Sequence, residues 1–151
     1  MYSDEQLEPI RIEIESIEKI LNEITGIIRE YSDHEPDIRT KAALASFIAQ
    51  FYNGVENIMK RIMKISGRPL PKGENWHADL FNLFIEPDDQ KTPVLFRGSE
   101  VLIYKKLRKF RHIVYHGYSF RLEYELMKSN VMGLEDSFKS FVQNLKINNL
   151  I

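Results

Sequence analysis

A chain of 151 residues, 43% hydrophobic and 28% charged, is long enough to bury a substantial core without staples, and its composition predicts one soluble globular domain over residues 1–151. It has no cysteine, which excludes disulfides and thiolate chemistry and suits a reducing cytoplasm. The start of the chain has no signal-like apolar region and no run approaches the roughly 18 apolar residues of a membrane span, so a cytoplasmic protein without membrane contact is expected.

The first element is the clearest. Leu7, Ile10, Ile14, Ile17, Leu21, Ile24 and Ile28 recur at steps of three and four, which makes one apolar stripe on a helix. Ser3 with Gln6 forms a capping-box start, and Pro9 sits in or near the first turn, so the helix is placed at 4–31. After a polar break, a second helix is predicted from Pro36 to Ser66, with Ile38, Ala42, Ala45, Ala49, Tyr52, Met59 and Met63 on one face. Gly54, in its middle, costs about 1 kcal/mol of helix stability relative to alanine, an expense explained by close packing against another helix or by a bound ligand. Glu56, two residues on, is either a buried carboxylate serving a site or a plain surface charge.

Pro69 and Pro71 mark a loop, and a third helix follows over 74–85 with Trp76, Leu80, Leu83 and Phe84 as its apolar positions. His77, beside Trp76, is read as structural rather than catalytic. A carboxylate-rich connection from Pro87 to Pro93 precedes a fourth helix, capped by Ser99 and ending near His116, with Val101, Tyr104, Leu107, Phe110 or Arg111, and Val114 along its stripe. The last helix is placed at 120–146, with Leu122, Leu126, Met132 or Gly133, Leu134, Phe138, Phe141 and Leu145 along it and Gly133 as a point of kinking. Phe96, Phe110 and Phe120 are assigned to core or interface without a choice between them. No stretch has a strand period, so the fold class is all-α, an up-and-down bundle of about five helices.

Charge is distributed unevenly. Residues 4–35 carry ten carboxylates against Arg11, Lys19 and Arg29, whereas residues 101–121 carry Lys105, Lys106, Arg108, Lys109, Arg111 and Arg121 with no carboxylate. A solvated face is the common fate of such a run, but this one contains the segment Phe110-Arg111-His112-Ile113-Val114-Tyr115-His116-Gly117-Tyr118. An arginine offers a planar cationic fork suited to phosphate, and a histidine titrates near neutral pH unaided. On an unbroken helix the five-residue step turns about 500°, so Arg111 and His116 diverge by roughly 140° and lie about 7.5 Å apart along the axis. Either the helix ends near Gly117 or a second copy supplies the missing group across a two-fold axis, and both are expected. If the chain is extended past His116, Tyr118 falls on the same side as that imidazole.

The arrangement of arginine, four residues, histidine, one residue and tyrosine at Arg111, His116 and Tyr118 resembles the signature of HEPN-domain ribonucleases, specifically the HepT-like toxins of HEPN/MNT toxin-antitoxin modules. The resemblance takes in the polar residue after the arginine, His112, together with Tyr52-Asn53-Gly54-Val55-Glu56, Trp76-His77 and the five-helix order. It implies a homodimeric endoribonuclease that needs neither metal nor cofactor. Arg111 and His116 would be catalytic, with His112, Glu56 and Asn53 in support. It also implies a partner, an MNT-type nucleotidyltransferase antitoxin, that neutralises the toxin by transferring AMP from ATP to Tyr118. The residues agree with this chemistry. RNA carries its own 2′-hydroxyl nucleophile, so cleavage needs a base, an acid and positive charge for the phosphorane. One His116 per chain is a single proton-transfer group, and a dyad supplies two. Lys105, Lys106, Arg108 and Lys109 are candidates for RNA phosphate contacts, which position a substrate without reading its sequence. The resemblance implies transfer RNA or messenger RNA as target, with transfer RNA favoured.

Two alternatives use the same residues. His112 and His116, four apart, share a helix face as the metal-ligand pair of a hydrolase would, with a third ligand from His77, Glu56 or a partner chain. A helical dimer with a basic patch is also suited to being a non-catalytic partner or substrate-binding subunit of a nucleotidyltransferase.

Overall fold

The structure is a computed structural model that describes residues 1–117 and 123–151. It is all-helical, with six helical segments and no strand among the described residues: α1 (Asp4–Glu30), α2 (Ile38–Ile65), α3 (Trp76–Leu83), α4 (Ser99–His116), α5 (Tyr124–Asn130) and α6 (Leu134–Ile147). The expected fifth helix is present as two pieces, α5 and α6. Gly133 adopts φ +77° in the left-handed region and stands at the N-terminus of α6, so the predicted kink is a full break. The break changes the phase of the buried face: Tyr124, Met127 and Asn130 are buried, while Leu126 and Met132 are exposed.

Local chemistry sets the helix ends. Ser3 and Gln6 exchange both capping-box hydrogen bonds at the start of α1. Asp37 caps α2, its carboxylate accepting from the Thr40 amide at 2.9 Å. That hydrogen bond holds the Asp37 carboxyl below the ordinary carboxylate range. At α4 the expectation of a Ser99 cap is corrected: Ser99 is the first helical residue, and Gly98 precedes it at φ +59°, ψ −133°, a conformation reserved for glycine.

Helix α2 is the axis of the bundle, packing against α1, α3, α4 and α5. Antiparallel α1 and α2 approach closely at Gly54, where an added Cβ would lie 2.5 Å from Ile17 Cγ1. Close packing therefore accounts for the glycine. From Phe51 onward α2 is covered on more than one side, so Ile58 and Ile62 join Tyr52, Met59 and Met63 in the core. Ile38, by contrast, is 54% exposed, because the first turn of α2 projects beyond the packed region that begins at Leu44. Phe51, Phe81, Phe96, Tyr104, Phe138 and Phe141 stack at the centre, and Phe96 and Phe110 are both core residues. Phe120 lies outside the described residues. The acidic connection before α4 is anchored to the end of α2 by Arg68, which pairs with Asp88 at 2.7 Å and Asp89 at 3.2 Å and donates to Thr92.

Candidate functional site

Tyr104, Leu107, Phe110 and Arg111 form the buried face of α4, so the helix that carries the basic run turns one of its arginines into the bundle. Only 8% of the Arg111 side chain is accessible, and that of Glu56, facing it from α2, only 4%. Arg111 Nη1 donates to Glu56 Oε1 at 3.1 Å and to Asn53 Oδ1 at 3.0 Å. The guanidinium carbon lies 4.9 Å from the centre of the Tyr52 ring. A buried arginine is tolerated here because a carboxylate balances its charge and an amide and an aromatic face complete its surroundings. Glu56 is thus resolved as a buried carboxylate, and Asn53 joins it.

Two further residues enter this network. His77, from α3, places Nδ1 2.7 Å from Glu56 Oε2 and 2.9 Å from Arg111 Nη2. Asn53 Nδ2 donates to the Tyr115 hydroxyl at 2.5 Å, tying the last turn of α4 to α2. Trp76 lies against His77, with ring centres 3.5 Å apart and the planes tilted by 30°, and Lys60 Nζ sits 4.6 Å from the Trp76 ring. No sequence spacing links positions 56, 77, 111 and 115; they meet only because α3 and α4 both pack on α2.

The sequence-predicted site residues divide into groups. Arg111, Glu56 and Asn53 converge in the buried network. His112 and His116 are exposed and turned elsewhere, their rings 4.4 Å apart on one side of α4. The helix is unbroken from Arg111 to His116 and stops at Gly117, where the backbone becomes extended. Lys105, Lys106 and Lys109 are exposed. Arg108 is not the solvent-facing residue expected: it is half-buried, its Nη1 is out of contact with solvent, and its guanidinium lies 5.6 Å from the Phe81 ring. Four residues after Tyr104 and three before Arg111, it falls on the inward face of α4. Tyr118 lies outside the described residues. As for a His112/His116 metal pair, His77 and Glu56 face Arg111, and no group of three or more His, Cys, Asp or Glu gathers among the described residues.

The model of a family described as HepT-like protein matches residues 43–148, which include most of α2, all of α3 through α6 and every residue of this network. The chain belongs to the HepT-like family. This is a family of HEPN-type, nuclease-related proteins, often dimeric and found in toxin-antitoxin pairs. Comparison with curated proteins and with solved structures returns no match. Helix α1 precedes the matched stretch, yet it packs along α2 and contributes Leu7 through Ile24 to the core of the HepT-like bundle. Among the described residues, no helix of this HepT-like chain is long and apolar enough to cross a membrane.

Proposed function

We propose that this single-domain HepT-like chain is a metal-independent endoribonuclease toxin, active as a homodimer, in which Arg111 of one protomer and His116 of the other act on the same RNA phosphate. The observation that carries this reading is the divergence of the two groups on one continuous helix: Arg111 is held inward against α2, while His116 is exposed at the helix end. A single protomer does not aim both at one phosphorus, and a two-fold partner does. Arg111 Nη1 is committed to Asn53 and Glu56, so the donors left for a phosphate are those of Nη2 and Nε, presented in a fixed orientation. Exposed Lys105, Lys106 and Lys109 suit contacts to the RNA backbone, with transfer RNA the favoured substrate.

In the same reading a nucleotidyltransferase antitoxin of the MNT type silences the enzyme by AMPylating Tyr118. An added phosphodiester two residues from His116 would compete with RNA for Arg111. The test is expression without any antitoxin. Wild type should be toxic and should cleave RNA in excess chelator, while His116→Ala and Arg111→Lys should be inert. Lysine keeps the charge of Arg111 but loses the fork. Equal toxicity of all three would overturn the reading. Co-expression with the nucleotidyltransferase should add adenylate mass to the peptide containing Tyr118, and Tyr118→Phe should abolish that mass while leaving RNA cleavage intact.

A further inference from the structure

A protomer that offers His116 alone has one imidazole for two proton transfers. The buried network contains another. His77 Nδ1 is within hydrogen-bond distance of both Glu56 Oε2, at 2.7 Å, and Arg111 Nη2, at 2.9 Å, yet it has room for only one hydrogen bond. Guanidinium only donates, and an ionised carboxylate only accepts. If Nδ1 accepted from Arg111, its lone pair would face the carboxylate lone pairs at 2.7 Å. The contact to the charged carboxylate is the shorter of the two, and it assigns the proton to Nδ1, pointing at Glu56, with the Nη2 hydrogens directed away from the ring, as in the carboxylate–imidazole pairs that fix a catalytic tautomer. Nε2, on the far side of the ring, is left to take or give a proton. The His77 side chain is 36% accessible, against 4% for Glu56, so this ring, like the exposed Tyr115, opens the network to solvent.

We infer that His77 is the general base of this site, its tautomer fixed by Glu56 and its Nε2 directed at the RNA 2′-hydroxyl beside the Arg111 guanidinium. The inference rests on the ribonuclease reading. In the step, the 2′-hydroxyl proton passes to His77 Nε2 while the 2′-oxygen bonds to phosphorus. The bond from phosphorus to the 5′-oxygen then breaks, and that oxygen takes a proton from His116. The products are a 2′,3′-cyclic phosphate and a 5′-hydroxyl, and the two imidazoles have exchanged protonation states. His77 comes from the same protomer as Arg111, so each half-site holds its own base and borrows only the acid.

The test uses two substrates of the full-length protein: a short RNA, and a uridine 3′-nitrophenyl phosphodiester whose leaving group needs no acid. His77→Ala should lose about 10²–10⁴-fold in kcat/KM on both. His116→Ala should lose a comparable factor on RNA and recover most of it on the nitrophenyl ester. His77→Asn keeps an N–H directed at Glu56 but has no nitrogen to accept a proton, so it should fold like wild type and still lose the same factor. If His77→Asn cleaves like wild type while His116→Ala behaves as expected, His77 is not the base and the ribonuclease reading stands. If wild type leaves both substrates and transfer RNA intact, the ribonuclease reading itself falls.

Discussion

Glu56 and Arg111 form a pair buried almost completely, and such pairs are costly to break on one side only. Glu56→Ala strands a guanidinium in the core and should cost about 3–5 kcal/mol of folding free energy. Arg111→Ala should cost a similar amount, and the double variant should recover much of the loss, giving a strongly non-additive cycle in urea melts. Strict additivity would show that the two side chains do not hold each other. Arg111→Lys is therefore the better probe of catalysis, since loss of activity in Arg111→Ala is confounded by loss of fold. The sequence displayed Arg111 and His116 plainly, as a cation and an imidazole at a recognisable interval. It understated His77, because a histidine beside a tryptophan carries no sign of a carboxylate 21 positions earlier that approaches it only in the folded bundle. Arg108 erred in the opposite direction: it was grouped by charge with its neighbours, although its interval from Tyr104 and Arg111 places it on the inward face.

At the scale of helices, most boundaries were readable because caps and periodicity act locally. The Ser3–Gln6 box and the six buried residues of α1 appear as expected. The break at Gly133 was legible as a kink and not as a split, since a glycine in sequence does not announce a positive φ. Gly133→Ala would force a side chain into that left-handed conformation and should lower stability by roughly 1–2 kcal/mol. Gly54→Ala meets a different obstacle. The new methyl would overlap Ile17, itself fully buried; overpacking of about 1–3 kcal/mol outweighs the roughly 1 kcal/mol gained in helix propensity. A lowered urea midpoint would be seen, whereas a raised one would mean that α1 and α2 separate freely. The Asp37 cap adds a pH signature. Its carboxyl is held below the ordinary range in the fold, so its stabilisation is complete above the unfolded-state value and is lost as pH falls through the folded one. Asp37→Asn, which caps nearly as well without titrating, should flatten the decline in melting temperature below about pH 4.

For the whole molecule, the division of labour between protomers can be tested by mixing. If Arg111 and His77 belong to one half-site and His116 to the other, inactive Arg111→Lys and His116→Ala proteins should regain activity when their subunits exchange. Half of the dimers at equal mixing are hybrids with one intact site each, which gives about a quarter of wild-type activity. His77→Asn mixed with His116→Ala should behave alike, and His77→Asn mixed with Arg111→Lys should stay inactive. Regained activity in that last mixture would separate His77 from the Arg111 half-site. The proposed two-fold partner is conveyed by sequence only indirectly, through an interval that puts Arg111 and His116 on different faces of one helix. The fold class needed no partner to be legible, because apolar stripes at helical spacing decide it chain by chain.

Trp76, the only tryptophan in the chain, lies against His77 and under Lys60. The indole is therefore a built-in fluorophore in contact with the proposed base. Its emission is exposed to quenching by whatever charge the imidazole carries, so a spectrum taken during titration or RNA addition would report on this one corner of the protein, free of any attached dye.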